Sequence, residues 1–274
     1  MKTHIYIVLL AGLLGIKTAE AQDITNAQQD NSPTPPATAS TPAPPNDNTY
    51  MPLPSGYFEV GFGLAQPVGG FAKHNGIGYG GYAISGDNVN ISVAAPIDQT
   101  NFGLAFSFGS FSNLFDIDSY VSNVAATDPS KSYQPLYQDQ YYESVFLAGL
   151  FATFPISHLS IDFRLMGGVA LCTLPEVDYG ASQYDAVAAG YDTYEWDTYP
   201  SKSVALAFGA GADLRYKFRR LSLMLGVDFA TANPHVNTEQ QYTDPNGDYT
   251  YNSIGGNVPI SILSFNLGLA FEIK

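Results

Sequence analysis

Eight segments alternate bulky apolar residues with small or polar ones, and the connections between them switch between tight and long. Together with an aromatic- and glycine-rich composition, these features predict an all-β chain: an eight-stranded antiparallel up-and-down transmembrane β-barrel with long surface loops. The stretch NFGLAFSFGS (101–110) shows the pattern. Phe102, Leu104, Phe106 and Phe108 fall on one side of an extended chain, and Gly103, Ala105, Ser107 and Gly109 on the other. A half-buried strand of a soluble sheet shows water a charged or long polar face. Here the second face is small, as the wall of a narrow, filled interior requires.

The composition agrees. Of 274 residues only 13% are charged, while 19 Tyr, 17 Phe and 26 Gly supply bulky anchors for one face and small fillers for the other. A net charge of −14 with 11 basic residues makes nucleic acid a poor partner. No apolar run after residue 56 reaches 18 residues, so spanning helices are excluded from that region. The single Cys172 leaves no intramolecular disulfide and reads as a small inward filler near a strand end.

Residues 1–21 read as a signal peptide: Lys2, the apolar run IYIVLLAGLLGI (5–16), then AEA ending at Ala21 as a small-x-small cleavage site. Residues 22–55 read as a Pro-rich periplasmic tether, with eight prolines in NSPTPPATASTPAPPNDNTYMPLP and almost nothing to bury. Residues 56–274 are the barrel.

Its first strand, YFEVGFGLA (57–65), sets Phe58, Val60, Phe62 and Leu64 against Glu59, Gly61, Gly63 and Ala65. The second, NVNISVA (88–94), sets Val89, Ile91 and Val93 against Asn88, Asn90 and Ser92, and the third is 101–111. The fourth, YESVFLAGLFATF (142–154), is apolar on both faces, and its outward side is not assigned. The fifth, LSIDFRLMGGVALC (159–172), places Leu159, Ile161, Phe163 and Leu165 opposite Ser160, Asp162, Arg164 and Met166. In the sixth (203–217), Val204, Leu206, Phe208 and Leu214 oppose Gly209, Gly211, Asp213 and Arg215. In the seventh (221–229), Leu223, Leu225 and Val227 oppose Met224, Gly226 and Asp228. The eighth (264–274) sets Phe265, Leu267, Leu269 and Phe271 against Asn266, Gly268, Ala270 and Glu272.

The connections near 95–101, 154–158 and 216–220 are tight, whereas those near 66–86, 112–141, 173–202 and 230–257 are long. Short turns at one end and long loops at the other are the pattern of an outer-membrane barrel. On strand number, face alternation and loop asymmetry, residues 56–274 resemble the small eight-stranded bacterial outer-membrane barrels, the OmpA/OmpX-like transmembrane family. The resemblance implies a bacterial outer-membrane location, lipid around the barrel and handling by the barrel-assembly machinery. Members of the family often end on a terminal aromatic; this chain ends AFEIK, with Phe271 three residues in.

The inward charges Glu59, Asp162, Arg164, Asp213, Arg215, Asp228 and Glu272, with Lys217 and Lys274, either line a conducting path or pair across the lumen as a plug. Pairing is favoured, because eight strands leave little open bore. A lipid-modifying enzyme would need Ser, His and acids at the outer rim, and only His74 and His235 fall on long loops, neither in a nucleophile motif. YTDPNGDYTY (242–251) has Asp244, Asn246 and Asp248 at alternate positions but lacks the closing Glu of a calcium loop, and reads as a hairpin tip. The third long loop holds Tyr184, Asp185, Tyr191, Asp192, Tyr194, Glu195 and Trp196 without a Lys or Arg, the composition of a partner-binding loop. The sequence therefore points to a non-enzymatic barrel for envelope structure and surface interaction. It is expected to be monomeric and without cofactor or metal, its acidic loops meeting a basic or cationic partner; a narrow channel is the alternative, and a lipid-modifying enzyme the second.

Overall fold

The computed structural model describes residues 55–74, 81–98 and 100–273. The signal-peptide reading, all of the tether but Ser55, and Lys274 lie outside the described residues.

Eight strands close into a barrel: β1 (Gly56–Pro67), β2 (Ala83–Pro96), β3 (Phe102–Phe115), β5 (Gln140–Ile156), β6 (Leu159–Thr173), β9 (Lys202–Phe218), β10 (Leu221–Ala232) and β13 (Ile260–Ile273). Each pairs antiparallel with the next in that order, and β13 returns to β1 from Gly56↔Ile273 to Pro67↔Ile262. Closure leaves no unpaired edge in the barrel wall, the condition for strands to cross hydrocarbon.

The two faces of the wall follow the period-two reading. Phe62, Leu104, Phe106, Leu165, Leu206, Phe208 and Leu267 are all exposed on the outside. Glu59, Ala105, Asp162, Arg164, Asp213 and Ala270 are buried on the inside. On β5, which the sequence leaves unassigned, Phe146, Leu150 and Phe154 face out, while Tyr141, Glu143, Val145, Phe151 and Thr153 face in. Cys172 is buried in the lumen near the long-loop end of β6.

Three of the long connections, 112–141, 173–202 and 230–257, are not plain loops. They form a second, five-stranded sheet from β4 (Ser132–Gln138), β7 (Val177–Asp185), β8 (Gly190–Thr198), β11 (His235–Thr243) and β12 (Tyr249–Asn257), in the order β12-β11-β8-β7-β4. Each lies next in sequence to a barrel strand, so the outer sheet prolongs the side of the barrel made by β5, β6, β9, β10 and β13. A helix, α1 (Ile117–Thr127), precedes β4. Asp116 caps it, its carboxylate accepting from the Ser119 backbone N–H at 3.1 Å, and Ile117, Val121 and Val124 are buried.

The lumen is filled in layers. The Arg164 and Arg215 charges lie below the outer-sheet half, toward the short turns, while Glu143 and Asn113 are buried nearer the outer sheet. The half toward the outer sheet is an apolar plug of Phe71, Tyr82, Phe115, Tyr141, Ala207, Val258, Ile260 and Ile262. Their rings meet edge-on or tilted, as in Phe71 with Tyr141 at 4.9 Å.

Candidate functional site

Arg164 sits at the centre of the lumen, 3% exposed, on an inward position of β6. Its Nη1 donates to Glu59 Oε1 at 2.5 Å and to Ser92 Oγ at 3.0 Å, and its Nη2 reaches Asp213 Oδ2 at 2.8 Å and Asp228 Oδ1 at 3.0 Å. One guanidinium thus joins five strands, β1, β2, β6, β9 and β10. Asp228 also accepts from Asn266 at 2.9 Å and Asn90 at 3.2 Å, and Ser92 Oγ donates to Glu59. Glycine opens the space: a Cβ on Gly211 would stand 2.0 Å from Asp228 Oδ1, and one on Gly226 2.4 Å from Asp213 Oδ1. The small inward faces therefore make room for this network.

Arg215 forms a second group. It pairs with Asp162 through Nε and through Nη2, the latter 3.1 Å from Oδ1, and its guanidinium lies 3.8 Å from the centre of the Tyr57 ring. Glu272 stands apart at the short-turn rim, where it pairs with Lys217 and accepts from Ser55 Oγ at 2.8 Å. The seven inward charges named from the sequence thus divide into a four-membered network, one pair and one rim residue.

Sequence reasoning missed Glu143. It is 2% exposed, neither carboxylate oxygen has a hydrogen-bond partner among the described residues, and it lines a cavity of about 10 Å³ with Val145, Cys172, Ala207 and Ile262. That volume holds about one water. The signal was present in β5: Glu143 and Thr153 share one parity, and the face that carries the polar residues is the inward one. An unpartnered buried carboxylate costs free energy that an apolar side chain of similar size does not. Glu143→Leu is therefore expected to stabilise the barrel by about 1–3 kcal/mol. The folded barrel should resist SDS and change its mobility on SDS gels only when heated, a heat-dependent gel shift whose temperature should rise in this variant. A lower temperature would show that Glu143 is satisfied in a way the structure does not record.

The third-loop residues are brought together only in part. Tyr184 and Tyr191 face each other across the β7–β8 pair, on the same side as Glu195, Asp178 and Asp197. Tyr194 and Trp196 lie on the opposite side, and Asp185 and Asp192 share that parity. There Trp196 stacks on Tyr179 at 5.1 Å and 7°, and Tyr242 and Tyr133 complete the cluster. Tyr179 meets Tyr120 of α1 at 5.8 Å, so this aromatic face is partly covered. Strand periodicity, which a loop reading does not apply, splits the set between two surfaces.

The exposed surface is the acidic one. Asp178 and Asp197 are direct cross-strand partners, a repulsive pairing. Burial, then the neighbouring Asp197, Glu176 and Glu195, push the Asp178 carboxyl up to about 6. Tyr249 and Tyr251 of β12, both exposed, lie on the same face through their pairing with Thr243 and Gln241. Of the rim histidines, His74 Nδ1 is 3.7 Å from Asp116 and His235 Nδ1 is 3.0 Å from Asn257 Oδ1. The tip at 244–248 is a turn in which Asp244 accepts the backbone N–H groups of Asn246 and Asp248.

A closed wall with a continuous apolar outside and a charged, filled inside is stable only with hydrocarbon around it. The chain is an eight-stranded transmembrane β-barrel. No family model and no curated protein sequence matches it. Similar solved structures include Neisserial surface protein A, 12% identical over 80% of this chain and 97% of that one, with a TM-score of 0.41. A major outer membrane protein from Thermus thermophilus is 14% identical over 80% of this barrel's chain and 100% of its own, also at 0.41. The outer membrane protease OmpT from Escherichia coli is 7% identical over 80% and 97%, at 0.33.

Proposed function

We propose that the barrel is a non-catalytic envelope protein that meets a cationic polypeptide on its outer sheet. The observation that carries this reading is the acidic face of that sheet, where Asp178, Glu195 and Asp197 crowd together among exposed tyrosines. A basic partner relieves the repulsion between the carboxylates, and tyrosines give contact area at low entropic cost. The edges of the sheet differ as well. β4 is blunted by Pro135 and an irregular register, whereas β12 carries neither proline nor charge and leaves backbone groups open to an added strand.

The test is binding of an extended Lys-Thr repeat peptide to immobilised, refolded barrel, with a Glu-Thr repeat as control. The Lys peptide is expected to bind at pH 7.5, with salt slowing association. Binding should weaken as pH falls through about 6, where Asp178 takes up its proton. The sign follows from linkage: the folded-state value lies above the ordinary carboxylate value, so the free sheet loses stability as pH rises through that interval, and a cation restores it. The triple variant Asp178→Asn, Glu195→Gln, Asp197→Asn should lose the peptide and keep the heat-dependent gel shift. Equal binding by the variant, or equal binding of both peptides, would remove the support for this reading.

A further inference from the structure

The short-turn end carries a second charged feature, opposite in sign to the outer sheet. The β9–β10 turn consists of Arg219 and Arg220, both exposed, with Arg219 held at φ +60°, a conformation that side chains as large as arginine rarely adopt. The other basic groups near that end are taken up, Arg215 by Asp162 and Lys217 by Glu272. Arg219 and Arg220 form no ion pair with any described residue. Adjacent to them is the β5–β6 turn, tied on by the Lys217 backbone N–H donating to the His158 carbonyl at 2.8 Å.

These arginines stand where the lipid-facing surface ends. Tyr216 and Phe218, outward and exposed, pack together at 4.6 Å, and the His158 ring lies 6.4 Å from Tyr216. Ile156 and Leu159, exposed on either side of the neighbouring turn, continue the apolar surface. Arg219 and Arg220 follow Phe218 directly, so their backbone lies within about 4–7 Å of the last hydrocarbon-facing residue, at the edge of the apolar surface. Near this sector the carboxylate of Glu272 is already engaged, and Asp98 lies on the β2–β3 turn, beyond β6 and β5 in the ring of strands.

We infer that the β9–β10 turn, with the aromatic surface of Tyr216 and Phe218, is a binding site for the phosphate headgroup of an anionic phospholipid. The acyl chains would lie along the apolar outside of β9 and β10 while the two arginines hold the phosphate, and the site would fix one sector of the barrel at the short-turn membrane surface. It stands on different residues from the outer-sheet proposal and does not depend on it.

The test is native mass spectrometry of the full barrel released from mixed micelles. The micelles hold equal amounts of phosphatidylglycerol and phosphatidylcholine with identical acyl chains. The unaltered barrel is expected to retain phosphatidylglycerol in preference to phosphatidylcholine, and the preference should fall about five-fold for each arginine replaced in Arg219→Gln and Arg220→Gln. Lys202→Gln, at the opposite end of β9, should leave it unchanged, and Arg219→Lys with Arg220→Lys should keep most of it. The gel shift verifies folding of each variant. If the double glutamine variant does not fold, the single Arg220→Gln and the double lysine variant carry the comparison. Equal retention of the two lipids by the unaltered barrel, or an unchanged ratio in the folded glutamine variants, overturns the site.

Discussion

Arg164→Ala is expected to lower the unfolding free energy of the barrel by about 3–5 kcal/mol, the range for removing one partner of a buried ion pair. The loss exceeds that of an ordinary core truncation because of what remains. Glu59, Asp213 and Asp228 would face one another across the lumen without the guanidinium that now reaches all three, and Glu59 and Asp213 have no exposed side-chain surface from which to recruit water. Like charges at this spacing in a low-dielectric interior repel strongly. Arg164→Lys should recover only part of the loss, since a single ammonium cannot reproduce a fork with two arms directed at different carboxylates. Neutralising the acids together, by Glu59→Gln with Asp213→Asn in the Arg164→Ala background, should restore much of the stability. Urea unfolding in detergent, followed by the gel shift, measures all three. An Arg164→Ala barrel as stable as the parent would mean that the carboxylates are neutralised by something other than Arg164.

The same residues show how far the sequence could be read. On β6, Phe163 and Leu165 against Asp162 and Arg164 reveal the two faces of the wall, because lipid on one side and a filled lumen on the other force polarity to alternate with a period of two. On β5 that contrast fails. Val145, Leu147 and Phe151 point inward and are apolar because they meet other lumen side chains: Phe151 packs edge-on to Tyr57 at 6.1 Å. Which carboxylates meet Arg164 was not legible at all. Glu59 is 105 residues away in the chain, and the two meet only because closure and strand stagger bring β1 and β6 to the same level of a narrow interior.

The outer sheet was hidden for a different reason. In β8 the sequence GYDTYEWDT has tyrosines and acids in both parities, so no apolar face marks it as a strand. Its aromatic side is recognisable only once Tyr179, Trp196 and Tyr242 are seen side by side on three neighbouring strands. The residues that composition singles out in that segment therefore divide between the exposed acidic surface and the covered aromatic one.

Phe106→Arg should impair assembly of the barrel into lipid at a cost of about 2–4 kcal/mol, the range for arginine near the bilayer midplane on a barrel exterior. Phe106 is 60% exposed on the outside of β3, where its cross-strand partners are Val93 on β2 and Ala148 on β5, so no acid or polar group stands beside it to receive a guanidinium. The neighbouring Ser107 points the other way, and its Oγ donates to Asn90 Oδ1 at 3.1 Å. Ser107→Ala should therefore cost only the single hydrogen bond, about 1 kcal/mol. Refolding yields into phosphatidylcholine vesicles, scored by the gel shift, compare the two. In detergent micelles, where a long side chain can snorkel to a nearby headgroup, the Phe106→Arg deficit should shrink, while the Ser107→Ala cost, set inside the lumen, should not change. Equal yields of the two variants in vesicles would place the outside of β3 away from lipid and overturn the assignment of its faces.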